Sequence, residues 1–313
     1  MSRRLRANTL HLVALTIAAA LPLTRPAVAA AQAIDDSIAP GNNFDKAQFR
    51  LWYPRDAGRL RAVLVLVPGS NGDGRAMAED TTWRSFATRN RLAIVACRFT
   101  DKPHEQSFIE HYVNVSQGSG QALLDGLAHL AARAQHPEIA SAPLLFWGMS
   151  AGGEFNYEFA AWKPERVVAF VVNKGGIYYS ALTPRATREV PAMLFIGGKD
   201  LESRINTITG LFAVNRRGGA LWALAEEPGA AHVVGRSRDL SIIFFDDVLP
   251  LRLDESSATL KPIAESVGFV GDFRSKATRA VADSATPNYP TAWLPTARVA
   301  RAWQALLTEK PFE

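Results

Sequence analysis

The stretch Leu144-Leu145-Phe146-Trp147-Gly148-Met149-Ser150-Ala151-Gly152-Gly153 decides how this chain is interpreted. It begins as a short apolar run typical of a buried strand, continues as Gly-X-Ser-X-Gly, and enters a segment that predicts a helix. A serine in this context lies on a strained strand-to-helix turn that exposes its hydroxyl, a nucleophile elbow. Neighbouring backbone passes close to such a turn, so a Cβ at position 148 or 152 would obstruct it. The alternative is a turn of small residues without a chemical role.

The composition is that of a globular protein large enough for one extended α/β domain. Of the 313 residues, 48% are hydrophobic and 21% are charged, which is ordinary for a packed core with a solvated surface. Cys97 is the only cysteine, so an intramolecular disulfide is excluded. It ends the apolar run 92–97, where it reads as a small core residue rather than a nucleophile.

Residues 1–33 have the pattern of a signal peptide. Basic residues near the start precede an apolar stretch over 10–23, and small residues at 27–29 and 31–33 suit a cleavage site. A membrane anchor is the alternative, but the apolar stretch is short for a bilayer and Pro22 and Arg25 end it. We therefore expect an exported protein, periplasmic or secreted, with no stable membrane span after cleavage.

The net charge of +5 belongs mostly to this leader. Residues 1–33 contain four arginines and no acid, which leaves 31 basic against 30 acidic residues in the rest of the chain. Because basic and acidic residues are nearly equal in number outside the leader, the charge gives no reason to expect nucleic acid as a partner. The sequence also lacks clustered metal ligands, so we expect neither a metal nor an organic cofactor. It does not indicate an oligomeric state.

Strand and helix patterns alternate along the chain. We expect strands at 62–67, 92–97, 143–147, 167–172, 191–196 and 220–225, and helices at 76–89, 121–133, 151–162, 201–214 and 237–249. This alternation predicts an α/β fold with a doubly wound, mostly parallel sheet. Residues 34–46 read as a loose N-terminal segment, and 48–53 as an edge strand.

The predicted organisation has three parts: the signal peptide 1–33, a catalytic domain 34–253, and a C-terminal extension 254–313. The extension has weak periodicity until a helix at 295–307, and is too poor in apolar runs to form a separate domain. We expect it to pack on the catalytic domain. Trp293 and Trp303 would either cover the site or hold the tail in place.

A serine nucleophile needs a base, and the base needs an acid that orients it. On a sheet of this type the acid and then the histidine follow the serine along the chain, each in a loop after a strand. Asp200 fits as the acid, because a strand and a glycine turn precede it, although it could instead cap the next helix. Glu226 and Glu227 fit less well. His232 is the only histidine after Ser150, so chain order leaves one base.

An oxyanion hole requires two backbone amides that point at one oxygen. One is expected from Ala151, the residue after the serine. The other is expected from the loop Pro68-Gly69-Ser70-Asn71-Gly72, which follows an early central strand. We choose the amide of Ser70, with that of Asn71 second. A plain glycine-rich turn is the alternative, and the absence of Gly-Lys-Ser/Thr argues against a phosphate loop.

These motifs together resemble the α/β-hydrolase superfamily, in particular exported esterases of the poly(hydroxyalkanoate) depolymerase, feruloyl esterase and dienelactone hydrolase type. The resemblance covers residues 48–253 and rests on 67–70, 148–153, 197–200 and His232. Spacings of 50 residues from serine to acid and 32 from acid to histidine resemble the compact dienelactone hydrolases. Two departures are Pro68 where many relatives have His, and Ala231 where many have Gly.

We therefore expect a hydrolase of carboxylic esters, acting on a small-molecule or polymeric ester through an acyl-enzyme. Ser150, His232 and Asp200 are the predicted catalytic residues. Asn71, Met149 and Tyr178 are the predicted substrate contacts. A peptidase or acyltransferase could use the same triad, and a non-catalytic exported binding protein could keep the same fold.

Overall fold

The computed structural model describes residues 33–106, 109–254, 259–283 and 289–312. The predicted signal peptide lies outside the described residues except for position 33. The helices are α1 (Thr81–Asn90), α2 (Ser119–Ala134), α3 (Ala151–Trp162), α4 (Arg185–Arg188), α5 (Glu202–Arg217), α6 (Ser237–Arg252) and α7 (Ala297–Leu307). The strands are β1 (Ile34–Ile38), β2 (Lys46–Trp52), β3 (Ala62–Val67), β4 (Leu92–Thr100), β5 (Leu144–Gly148), β6 (Val167–Asn173), β7 (Ala192–Gly197), β8 (Trp222–Glu227), β9 (Phe269–Gly271), β10 (Thr278–Ala280) and β11 (Ala292–Leu294).

The central sheet is mostly parallel, as the sequence predicts. Within the described ranges its order is β1-β2-β4-β3-β5-β6-β7-β8. All pairs from β4 to β8 are parallel, and only β1 and β2 join antiparallel. Strands such as β3 are buried along their whole length because helices cover both faces.

Alternate residues of each strand serve two separate cores. Val63 and Val65 of β3 pack with α2, α3 and α5 on one face. Leu64 and Leu66 of the same strand pack with α1, α6 and α7 on the other face. This alternation follows from the two-residue period of a strand. Cys97 lies buried in the first of these cores, which is the structural role predicted for it.

Two local expectations are wrong. Residues 34–38 are not loose, because they form β1, which pairs with β2 along its length. The edge strand of the sheet is therefore β1 and not the strand expected at 48–53. Arg50 of β2 holds Asp35 of β1 through two hydrogen bonds of 2.7 and 2.8 Å. The helix expected from 76 begins instead at Thr81, after a 3-10 turn, because the Asp80 side chain accepts hydrogen bonds from the amides of residues 82 and 83.

The described C-terminal residues lie on the central sheet. Strands β9, β10 and β11 form a small antiparallel sheet, and α7 packs against β8 and α6. Trp303 of α7 is fully buried, and its Nε1 donates to the Leu224 carbonyl of β8 at 2.7 Å. Trp293 is equally buried, and its Nε1 donates to Glu265. Both tryptophans therefore hold the tail in place. None of the described helices has the length and apolar character needed to cross a bilayer.

Candidate active site

The loops that carry the predicted site residues lie at one edge of the sheet. Because β3, β5, β6, β7 and β8 are parallel, the loops after their carboxyl ends are neighbours. Ser70 and Asn71 follow β3, Met149 and Ser150 follow β5, Tyr178 follows β6, Asp200 follows β7, and His232 follows β8. The topology therefore gathers the predicted residues before any side-chain contact is considered.

Ser150 occupies a strained turn between β5 and α3. Its backbone has φ 54° and ψ −128°, a conformation that L-residues rarely adopt. The Ser150 amide donates to the Asn173 carbonyl of β6 at 2.8 Å, which fixes the turn against the sheet. A Cβ at Gly152 would overlap the Val67 carbonyl oxygen and lie 2.6 Å from that of Pro68. The close approach of β3 therefore requires a glycine there, as the motif predicts.

The loop after β3 lies directly against this turn. A Cβ built at Gly69 would be 3.5 Å from the Cβ of Ser150. The Asn71 amide is already used, because it donates to the Tyr112 hydroxyl at 3.2 Å. In contrast, no described residue accepts a hydrogen bond from the amide of Ser70 or Ala151. These two amides are left free to bind an oxygen supplied from outside the protein.

Asp200 and His232 are in direct contact across two loops. Asp200 Oδ2 accepts a hydrogen bond of 2.9 Å from His232 Nδ1. Asp200 Oδ1 accepts from the Leu201 amide at 2.7 Å and from Arg204 Nη1 at 3.1 Å. The aspartate side chain is 3% exposed and that of the histidine 30%. The acid is thus enclosed while the imidazole still reaches solvent.

The environment keeps Asp200 ionised. Burial alone would raise the pKa of its carboxyl, but the hydrogen bonds from His232, from the Leu201 amide and from Arg204 outweigh that effect and lower the pKa. A carboxylate accepts hydrogen bonds only, so it holds the proton on Nδ1 and leaves Nε2 as the basic nitrogen. Among the described contacts, Nε2 makes no hydrogen bond with Ser150 Oγ. Asp200 and His232 are therefore hydrogen-bonded to each other, while Ser150 lies on a neighbouring loop.

The three predicted substrate contacts have different surroundings. Asn71 is exposed, and its Oδ1 accepts a hydrogen bond from the Asp101 amide at 2.7 Å, which connects the two loops. Met149 is half-buried beside Asn173 of β6. Tyr178 packs edge-on against Tyr157 with ring centroids 5.0 Å apart, and its hydroxyl is buried. Their roles in substrate binding stay predictions.

Sequence reasoning missed two buried acids on α3 that fasten the loop after β6. Glu154 Oε1 accepts from the amides of residues 176 and 177 at 2.6 and 3.1 Å. Glu158 Oε1 accepts from the amides of residues 179 and 180 at 2.7 and 2.9 Å. Burial raises the pKa of Glu154 to about 7 against the two amide hydrogen bonds. Two acids four residues apart on a helix of mostly apolar and small residues were the signal in the sequence.

A buried ion pair was also missed. Lys174, directly after β6, has no exposed surface, and its Nζ lies 3.2 Å from Glu227 Oε2. Glu227, the rival for the catalytic acid, therefore bonds to a lysine, whereas Asp200 bonds to the histidine. A lysine two residues after the apolar run 167–172 was the only local signal, because its partner is 53 residues away.

The described part of the chain offers no group of three or more His, Cys, Asp or Glu side chains placed to hold a metal ion. His104 and His111 stack with ring centroids 4.1 Å apart, but each ring bonds to a different side chain. His104 bonds to Asp101, and His111 bonds to Gln106. This pair is therefore accounted for by local hydrogen bonds.

Comparison with known proteins identifies the fold. No protein-family description matches the chain, and no curated protein sequence matches it. Among solved structures, LpqC, a poly(3-hydroxybutyrate) depolymerase from Bordetella parapertussis, superposes with a TM-score of 0.50 at 18% identity, covering 72% of this chain and 93% of that one. Esterase PE8 superposes with a TM-score of 0.49 at 18% identity, covering 63% of this chain and 96% of that one. A ferulic acid esterase superposes with a TM-score of 0.47 at 11% identity, covering 64% of this chain and 91% of that one.

The chain has the α/β-hydrolase fold, as its motifs predict. The likeness to LpqC spans nearly all of that protein, and the mostly parallel sheet with helices on both faces is common to the class. At 18% identity the likeness defines the fold and not the reaction.

Proposed function

We propose that the protein hydrolyses carboxylic esters through Ser150, His232 and Asp200. The observation that supports this most strongly is the hydrogen bond between Asp200 and His232 at the same sheet edge as a serine held at positive φ. An aspartate that fixes one imidazole nitrogen leaves the other to act as a base, which is the arrangement that activates a serine. The solved structures that share the fold are named as esterases and depolymerases, which is consistent with this reaction.

The proposed reaction begins with proton transfer from Ser150 Oγ to His232 Nε2 while Oγ attacks the ester carbonyl carbon. The negative charge that develops on the carbonyl oxygen is bound by the free amides of Ser70 and Ala151. The imidazolium then gives its proton to the departing alcohol, which leaves an acyl group on Ser150. Water attacks this acyl-enzyme with His232 again as the base, and the acid is released. Asp200 orients and stabilises the imidazole in both steps.

The proposed substrate is a small-molecule or polymeric ester. Leu201 and Val233, which adjoin Asp200 and His232 in sequence, are 59% and 51% exposed, and Tyr179 after β6 is 45% exposed. Exposed apolar side chains beside a polar site favour an apolar acyl or aryl group. LpqC is named for a polymeric ester, poly(3-hydroxybutyrate). Met149 and Tyr178 are the proposed inner contacts.

Ser150→Ala tests the proposal directly. Removing the nucleophile should lower kcat for a p-nitrophenyl ester by about 1,000-fold or more, while the melting temperature stays unchanged. A fluorophosphonate probe should label the wild type on the peptide that contains Ser150 and should not label the variant. Ser70→Ala is the matched control, because it removes a hydroxyl but keeps the amide that binds the oxyanion. Near-normal turnover in Ser150→Ala would refute the triad.

The same experiment separates the rival activities. Amide substrates cleaved as fast as esters would favour a peptidase, and transfer of the acyl group to an added alcohol or amine would favour an acyltransferase. Failure of the intact wild type to react with the probe would favour a non-catalytic binding protein.

We also propose that the protein is exported, on the pattern of residues 1–33. Protein isolated from its native host should begin near Ala30 or Ile34 when its N-terminus is sequenced. A native protein that retains Arg3 to Arg6 would contradict cleavage.

A further inference from the structure

Lys174 is a buried cation that the proposed reaction does not use. It follows β6 at φ 56°, and its side chain has no exposed surface. A buried ammonium is tolerated only where it is paired and hydrogen-bonded. Its Nζ is 3.2 Å from both Asn173 Oδ1 and Glu227 Oε2. Burial lowers the pKa of Lys174, and Glu227 opposes that shift.

Glu227 fastens the loop that carries the histidine. We call residues 228–236 the histidine loop and residues 198–201 the acid loop. The Glu227 carbonyl accepts from the amide of Ala230 at 3.1 Å and from that of Gly198 at 2.9 Å. Its side-chain Oε1 accepts from the Arg236 amide at 2.8 Å. One residue therefore holds the beginning and the end of the histidine loop as well as the first residue of the acid loop.

The two loops and the lysine meet at Gly197, the last residue of β7. A Cβ built there would lie 2.6 and 2.7 Å from the carbonyl oxygens of Ala230 and Ala231, and 2.9 Å from Lys174 Cε. The Lys199 amide donates to the Ala230 carbonyl at 2.9 Å, which adds a direct bond between the loops. The lysine stem thus lies beneath the junction from which Asp200 and His232 both project.

We propose that Lys174 and Glu227 are positioning residues, a buried ion pair that holds the histidine loop against the acid loop so that His232 Nδ1 stays on Asp200. This inference rests on the proposed function for its catalytic consequence. Neither residue touches the reacting atoms. Their opposite charges lie against the loops that carry Asp200 and His232, so each one alone changes the electrostatic field at His232.

Removing one member of the ion pair should shift the protonation equilibrium of the His232 imidazole, in a direction set by the sign of the charge that remains. In the described chain, charged groups on or beside the two loops include Lys199 and Asp200 of the acid loop, Arg204 of α5, Lys174 after β6, Glu226 and Glu227 of β8, Arg236 of the histidine loop, and Glu309 after α7, whose Oε1 would lie 3.0 Å from a Cβ built at Gly229. Removing the lysine leaves a carboxylate that favours the imidazolium. Removing the carboxylate leaves an ammonium that disfavours it.

The test uses Lys174→Met, Glu227→Gln and the double variant, with Lys199→Met and Glu226→Gln as matched controls for the same charge changes outside the pair. The His232 imidazole is titrated by NMR in each folded variant, and kcat/KM is measured against pH. Relative to the wild type, the titration midpoint should rise in Lys174→Met and fall in Glu227→Gln. It should return close to the wild-type value in the double variant, and kcat/KM should fall about 10- to 100-fold in each single variant.

If Lys174→Met does not fold, Glu227→Gln alone still tests the proposal. Glutamine keeps an oxygen that can accept the hydrogen bond from the Arg236 amide, so this variant is expected to fold. Midpoints that do not move, that move together, or that move no more than in the control variants would overturn the pairing role. The imidazole titration does not depend on ester hydrolysis. Opposite shifts in a protein without esterase activity would therefore refute only the proposed function, whereas esterase activity with unshifted midpoints would refute only the role of the pair.

Discussion

The two sides of the candidate site are held in place by different kinds of interaction. The serine side, made of the loop after β3 and the turn after β5, depends on backbone geometry: glycines, a residue at positive φ and free amides. The histidine side, made of the acid loop and the histidine loop, depends on charged side chains held by one another. The first should therefore fail when volume is added, and the second when charge is removed.

The serine side has no room because three chain segments meet there. An added Cβ at Gly148 would overlap the backbone carbonyl of Gly152, and one at Gly152 would overlap a carbonyl oxygen of β3. Backbone atoms cannot rotate away as a flexible side chain can. An oxyanion hole made of rigid amides acts because its dipoles are fixed before the reaction.

The histidine side is also closely packed at Gly197, but what distinguishes it is that its charged side chains have few spare hydrogen-bond partners. Each oxygen of Asp200 already accepts from at least one donor, and Glu227 is bonded through both side-chain oxygens. Removing one member of a buried network leaves its partner unsatisfied, which costs more than the bond itself contributed. The penalty of a substitution there should depend on the lost charge more than on the changed size.

Asp200→Asn should give the largest effect on the histidine side. The amide is nearly the same size as the carboxyl, but it can hold the imidazole with the proton on the wrong nitrogen. We expect kcat/KM to fall about 100- to 10,000-fold while the fold is retained. Steady-state kinetics with a p-nitrophenyl ester and a thermal melt measure both. Glu227→Gln should lose less activity, because Glu227 does not touch the imidazole. The reverse ranking would identify Glu227 as the acid.

Gly152→Ala should give the largest effect on the serine side. The added Cβ overlaps the Val67 carbonyl oxygen, so β3 and α3 must separate. We expect a loss of about 2–4 kcal/mol in the free energy of unfolding, together with most of the activity. Denaturant unfolding measures the first quantity.

Gly210→Ala is the matched control, since an added Cβ in the middle of α5 meets no atom within 4 Å. Alanine there should stabilise the helix by about 0.5–1 kcal/mol. Equal stabilities for the two variants would contradict the steric account of the elbow.

Chain order and apolar runs predicted most of the fold, and they are also the basis on which the residues of the candidate site were chosen. Continuous apolar segments are readable where a strand is covered on both faces, as in β3 and β6. The glycines around Ser150 and the single later histidine predicted which loops would meet. These signals are local, or depend only on order along the chain.

What could not be predicted depends on partners far away in the sequence. Strand β1 has two acids in five residues and becomes ordered through β2 and Arg50 rather than through its own propensity. Lys174 looks like a loop lysine until Glu227 is seen beside it. Glu154 looks like a surface residue of a helix until its carboxyl is found on the amides of the next loop. Buried charges are invisible to periodicity because their pairing is set by the tertiary fold.

One buried acid lies next to the serine side: Glu154 of α3, the helix that begins after Ser150, is 4% exposed and accepts hydrogen bonds from the amides of residues 176 and 177. Burial raises its pKa to about 7 in the folded protein, whereas in the unfolded chain it titrates near the ordinary glutamate value of 4.5. Between these two pH values the folded protein holds a proton that the unfolded chain has lost. Stability from this group is therefore fully present below about pH 4.5 and is lost as the pH rises towards about 7.

Glu154→Gln should remove this pH dependence with the smallest structural change, because glutamine keeps an oxygen for the amides of residues 176 and 177. Relative to the wild type, the variant should gain stability between pH 5 and pH 8, by up to about 3 kcal/mol. Thermal melts of both proteins across that range measure the difference. Glu165→Gln, a change at an exposed acid, should leave the difference constant. A constant difference for Glu154→Gln as well would mean that this carboxyl is ionised throughout. The serine side would then rely on a buried charge in the same way as the histidine side.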